Sequence, residues 1–152
     1  MYLPITTFKT IIENTPLVSI DLIVENTQGE FLLGYRNNRP AQGFWFVPGG
    51  RILKDESMAD AFKRLTLNEL GTAFELYQAK LIGPFDHFYD DNVTGTDFST
   101  HYVAIGYQLV VDELPKLPQE QHSEYKWLTQ EQLLADKTVH KHSRWYFDKS
   151  AR

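Results

Sequence analysis

Glu69 is the one acidic residue in the stretch RLTLNELG (64–71). At about 100° of rotation per helical residue it falls about 20° from Phe62, on the stripe that also carries Leu65. A carboxylate on an apolar stripe costs free energy unless an arginine, backbone N–H groups or a bound cation satisfies it. The first two are the commoner partners; a divalent cation is the functional one. Just upstream stands VPGG (47–50), where glycines let backbone carbonyls approach a ligand closely. Arg36, Arg39 and Arg51 gather positive charge within a short part of a chain whose formal net charge is −5. Arginine offers forked donors that match phosphate oxygens, so the cluster suits one small anionic ligand. The overall charge argues against a nucleic-acid backbone as a general partner. His122 supplies an imidazole of ordinary pKa about 6.5, able to take a proton from water near neutrality. A lone loop histidine is more commonly a surface residue.

These groups need a frame. LVSIDLIVE (17–25) and EFLLGYR (30–36) are strand-like, and NTQG between them supplies the turn of a hairpin. FWFV (44–47) predicts a third strand, stopped by Pro48-Gly49-Gly50. Ser57 with Asp60 predicts a helix start and Gly71 its end. A strand with a bulge near Gly83-Pro84 is expected over 80–90, a polar loop over 90–97, and a long strand over 99–112. YKWL (125–128) predicts a further strand, and Thr129 with Gln132 a capping box. Thr6 is expected to cap a first helix running to Asn14, and HKHSRWYFDKS to form a terminal helix. Helices among hairpin-linked strands point to an α+β or mixed α/β sandwich, and no GxGxxG or GxxxxGK[ST] is present.

With 152 residues, 42% hydrophobic and 23% charged, the chain is expected to form one domain over 1–152 with its own core. The absence of cysteine removes disulfides and thiol chemistry and suits a reducing compartment. MYLPITTFKT lacks the pattern of a secretory signal, and no apolar run reaches the roughly 18 residues of a spanning helix, so a cytoplasmic protein without membrane partners is expected.

Across GRILKDESMADAFKRLTLNELGT (50–72), Gly50, Glu56, Arg64, Glu69 and Gly71 stand at intervals that resemble the Nudix box. In Nudix hydrolases this loop–helix–loop binds Mg²⁺ at a nucleoside diphosphate. Leu65 and Asn68 occupy places where that box normally carries glutamates, and Thr66 and Thr72 replace aliphatic residues. With Glu69 alone, this face is expected to hold one ion, completed by other loops, phosphate and water, as Mg²⁺ tolerates. These departures, together with NTPLVSIDLIVEN (14–26), NRPAQGFWFVPGGR (38–51), HFYDDNVTGTDFSTHYV (87–103) and EQHSEYKWLT (120–129), are similar to the GDP-mannose mannosyl hydrolases within the superfamily. The similarity covers nearly the whole chain.

That resemblance implies a Nudix fold, a mixed sheet flanked by helices. It also implies Mg²⁺-dependent hydrolysis of GDP-mannose or GDP-glucose to GDP and free sugar, with Mn²⁺ as a second candidate ion. By the same comparison His122 is the general base, and Gln121, Glu69 and the Gly49 carbonyl are the metal ligands. Arg36, Arg51 and Tyr102 serve the diphosphate, and Asp21 and His87 contact the sugar or its leaving oxygen. Arg39 and Tyr89 remain candidate substrate contacts beside plainer roles as surface charge and packing. His101, His140 and His142 are not expected to be ligands, and Glu56 with Arg64 is expected to brace the loop. A homodimer and a bacterial role in nucleotide-sugar metabolism are inherited from the comparison. Two other functions stay open: a pyrophosphatase releasing a nucleoside monophosphate and a sugar 1-phosphate, and a non-catalytic nucleotide-sugar-binding module.

Overall fold

The computed structural model describes residues 3–114, 117–118, 122–148 and 150, with only the backbone described at His122 and Ser123. Helix α1 (Ile5–Asn14) leads into β1 (Leu17–Glu25), β2 (Glu30–Arg36), β3 (Trp45–Phe46) and β4 (Gly49–Arg51). Helix α2 (Met58–Leu70) follows, then a 3₁₀ turn (Leu76–Gln78), β5 (Lys80–Tyr89) and β6 (Thr100–Val110). Strand β7 (His122–Thr129) and the short helices α3 (Gln130–Ala135) and α4 (Lys141–Arg144) complete the order. None of the described helices is long and apolar enough to cross a membrane.

The described strands form one seven-stranded mixed sheet with the path β3-β2-β1-β6-β5, β4 lying on β1 and β7 on β2. Strand β1 runs parallel to β6 along its whole length and antiparallel to β4 at Ser19, Ile20 and Asp21. It meets β2 in register at Glu25↔Phe31, near the hairpin turn. Beyond that point β4 lies beside β1 while β7 and β3 lie along β2.

Alternate residues of β1 serve two cores, as a strand covered on both faces requires. Ile20, Leu22 and Val24 pack with Phe62, Leu65 and Leu70 of α2. Ile23 packs on the other face with Leu133, Val139 and Tyr146 from the C-terminal segment. Ser19 and Asp21 share that second face with Ile23.

Ser57 Oγ accepts from Asp60 N at 3.0 Å, and Gly71 closes α2 with φ +77°. Three expectations are corrected. Helix α1 starts at Ile5 behind Pro4 with no side-chain cap, because proline presets the entry φ and has no N–H to satisfy, so Thr6 is already inside the helix. The sheet does not stop at Pro48: its carbonyl accepts from Leu22 N at 2.8 Å, and Gly49–Arg51 continue as a strand on β1. The terminal helix is confined to Lys141–Arg144 and passes into turns.

Candidate active site

The diverging strands leave a cavity of about 250 Å³ between the end of β1, the β3–β4 bend, β5 and the C-terminal segment. Asp21, Arg36, Gly49, Arg51, Glu69, His87, Tyr89 and Tyr102 all line it. Strand register explains the convergence. Asp21 lies opposite Gly49, Ser19 opposite Arg51, and His87 opposite Tyr102. The pleat then presents Ser19, Asp21, Tyr102 and His87 on one face.

Glu69 reaches the cavity from α2 although the residue is only 2% exposed. Its Oε1 accepts from Gly49 N at 3.2 Å. Leu65, on the same helix face, is buried in the core against the backbone at Gly50, where a Cβ would lie 2.5 Å from Leu65 Cδ2. A Cβ at Gly49 would lie 2.5 Å from both Asp21 Oδ1 and the Ile20 carbonyl, so this approach of β4 to β1 requires glycine. Asn68 is exposed. Of the three box positions that carry acids in the Nudix pattern, only position 69 faces the cavity with a carboxylate.

The loop leading into α2 is braced by Glu56 and Arg64, as expected. Glu56 accepts from Arg64 Nε at 2.7 Å, Arg64 Nη2 at 2.8 Å and Leu53 N at 3.0 Å, while Arg64 also donates to the Arg51 carbonyl at 2.9 Å. The Arg64 hydrogen bonds hold the Glu56 carboxyl below its ordinary pKa of 4.5. A lowered folded-state pKa contributes stability above the unfolded value, and that contribution is lost as pH falls through the folded value. Arg64→Ala is therefore expected to cost about 1–3 kcal/mol at neutral pH, with a smaller penalty below about pH 4. Urea denaturation at the two pH values measures this; an equal penalty at both would show that Glu56 ionisation carries none of it.

Opposite Glu69, Arg36 and Arg51 enter from β2 and β4. Each guanidinium also lies over an aromatic ring, Arg36 5.4 Å from the Phe46 centroid and Arg51 5.0 Å from that of Phe8. Burial raises the pKa of the Tyr102 phenol, so it remains a hydrogen-bond donor near neutrality. Asp21 is 19% exposed at its side chain, and burial pushes its carboxyl up to about 6. The Tyr146 hydroxyl, which donates to Asp21 Oδ2 at 2.6 Å, and the Arg36 charge act against that rise. His87 is buried and shifted down to about 4 by desolvation. It enters the site as a neutral ring.

Arg39 is not brought to the cavity lining; it pairs with Asp91 at 3.1 Å. His122 begins β7, and its backbone is in register with Arg36. The His122 side chain and the whole of Gln121 lie outside the described residues. His142 and Ser143, set aside or unremarked in the sequence, line the cavity, and Ser143 Oγ accepts from Val47 N at 3.0 Å. His142, Ser143 and Tyr146 are buried on one side of the segment, at spacings that share a helical face.

The donors that could hold a cation here are oxygens, from Glu69 and the backbone at Gly49. This is a hard set of the kind Mg²⁺ takes, with phosphate and water completing the shell. Among the described residues no three His, Cys, Asp or Glu side chains form a metal cluster. The residues fit a divalent ion shared with a phosphorylated ligand.

The NUDIX domain pattern matches residues 15–148, and the chain belongs to the Nudix hydrolase superfamily. Members typically use divalent metals such as Mg²⁺. The low-salt glycan biosynthesis protein Agl8 of Haloferax volcanii is 40% identical over 125 residues, 82% of this chain and 78% of that one. Among solved structures, the MutT protein of Methanosarcina mazei superposes with a TM-score of 0.71 at 28% identity, covering 91% of this chain and 96% of that one. The MutT NUDIX hydrolase of Burkholderia pseudomallei gives 0.70 at 24% identity, covering 88% and 97%, a likeness of fold.

Proposed function

We propose that the chain, acting over 1–152 as one domain, hydrolyses GDP-mannose, or GDP-glucose, to GDP and the free sugar by substitution at the anomeric carbon. The observation that carries this is the acid inventory of α2: Glu69 alone faces the cavity, while Leu65 is committed to the core and Asn68 points to solvent. Activating water for attack on phosphorus is commonly done by several clustered cations. One site that relieves a departing diphosphate suits attack at carbon instead. Held by Glu69, the Gly49 carbonyl and Gln121, Mg²⁺ (or Mn²⁺) would neutralise charge on the leaving GDP.

The chain's own groups divide the remaining work. Arg36, Arg51 and the Tyr102 hydroxyl bind the diphosphate and offset its charge as the C–O bond breaks. Asp21 and His87 meet the sugar, and Tyr89 closes that wall. His122 takes the proton of the water that attacks from the opposite face, so the configuration inverts. The name of the Haloferax relative supports a role in glycan metabolism. A homodimeric cytoplasmic enzyme completes the proposal on the strength of the family resemblance.

Incubation with GDP-mannose and Mg²⁺ in ¹⁸O-water tests the reading. The expected products are GDP and mannose with the label in mannose. Label in GMP or mannose 1-phosphate means attack at phosphorus and overturns the proposal in favour of a pyrophosphatase. Binding without turnover of any nucleotide sugar overturns it in favour of a non-catalytic module.

A further inference from the structure

His142 has no part in the hydrolysis as proposed, yet it lines the cavity beside His87. The residue is 1% exposed, and its ring lies face to face on that of His87, with centroids 4.4 Å apart and planes 7° from parallel. His142 is itself held from several directions. Tyr89 meets it edge-on at 4.7 Å and His140 at 4.6 Å, and Trp145 lies tilted against it at 4.8 Å. His140 also accepts the His142 N–H through Nδ1 at 3.1 Å.

His87 is held differently. Its Nδ1 lies 3.9 Å from Asp21 Oδ2, beyond hydrogen-bond reach, and its buried Nε2 has no hydrogen-bond partner. His142 Nδ1 is likewise buried without one. These nitrogens do not lock the pair; ring packing does. Removing the His142 ring would leave a void beside His87 and let it turn or take up water.

We propose that His142 is a positioning residue, whose stacked ring fixes the plane and place of His87 at the sugar. The catalytic consequence rests on the hydrolysis proposed above; the packing consequence does not. Electrostatics agrees with the geometry. Burial pushes His142 down to about 2, with the neighbouring His87, His140 and Lys141 acting in the same direction. For His87 the opposing influence is Asp86 on its own strand. Asp21 faces His87 from β1, and the Tyr89 and Tyr146 rings border the pair. Both imidazoles are therefore neutral near pH 7, and the stack carries no charge repulsion.

The test compares His142→Ala with His142→Phe, which keeps a flat ring and removes both nitrogens. Alanine is expected to lower kcat on the order of 10–100-fold, the scale of a small misplacement of a contact group. Phenylalanine is expected to restore most of that loss. Independently of substrate, the His87 imidazole signals in NMR should stay flat from about pH 8 to 5.5 in the parent and in His142→Phe. In His142→Ala they should titrate nearer to the ordinary value of about 6.5. If the alanine variant does not fold, His142→Val replaces it, a ring-less side chain too small to fill the place of the imidazole, with the same expectation. Unchanged His87 titration in the ring-less variant, or a phenylalanine variant as impaired as alanine, overturns the proposal. Failure of the parent to hydrolyse GDP-mannose would remove the hydrolysis reading alone, since the NMR titration needs no substrate.

Discussion

Replacing His122 with glutamine is expected to lower kcat by on the order of 10²–10⁴-fold while the nucleotide sugar still binds, the usual contribution of a general base. Glutamine keeps similar length and polarity but cannot take a proton near neutrality. Strand β7 starts at His122, whose backbone is in register with Arg36. Steady-state kinetics, with titration calorimetry for binding, measure the effect. The parent's kcat/KM should also fall below the pKa of the base, and that limb should be missing from the variant's profile. Turnover at the parent rate would remove His122 from the chemistry.

The second large effect is expected from Glu69→Gln. The amide oxygen of glutamine can still accept from Gly49 N, so the 3.2 Å tie between helix and strand survives. What disappears is the negative charge on a residue that is 2% exposed. Loss of an outer-shell partner alone costs about 10–100-fold in metal affinity or activity, and loss of a charged ligand should exceed that. Divalent-ion affinity, measured by calorimetry or by Mn²⁺ relaxation, is expected to fall by on the order of 100-fold or more, with the thermal midpoint of the metal-free protein little changed. Unaltered metal affinity would show that Glu69 is structural. Rescue of turnover by high Mg²⁺ would separate weakened binding from damage to the fold.

Much of this site was legible in the sequence because its parts follow short-range rules. The position of Glu69 on the Phe62–Leu65 stripe follows from helical periodicity, and the Ser57 cap and Gly71 terminus bound that helix as expected. The Thr129–Gln132 capping box and the register shift between Leu81 and Gly83 were likewise local matters. What escaped depended on tertiary pairing. Strand β4 forms because Gly49 and Gly50 lie against β1, a contact that the string PGG does not disclose. In the sequence His142 is one of two histidines in the expected terminal helix and is not expected to be a ligand. It becomes part of the cavity because Tyr146 packs over Gly106, where a Cβ would fall 2.5 Å from the ring, and brings the preceding turn across the sheet. From the sequence Arg39 reads either as a phosphate contact or as surface charge, and a carboxylate far along the chain, Asp91, holds it.

The hydrogen bond from Tyr146 to Asp21 joins residues 125 positions apart, tying the first strand to the last packed turn. A chain still growing on the ribosome therefore lacks both the cover on the second face of β1 and one wall of the cavity until the C-terminal segment arrives. Such a nascent protein would hold Arg36 and Arg51 without His142 and Ser143 at the cavity, and under the hydrolysis proposed above competence would arrive only once Tyr146 has emerged. For the same reason, a proteolytic cut just before His140 should silence turnover while most of the β-structure stays intact.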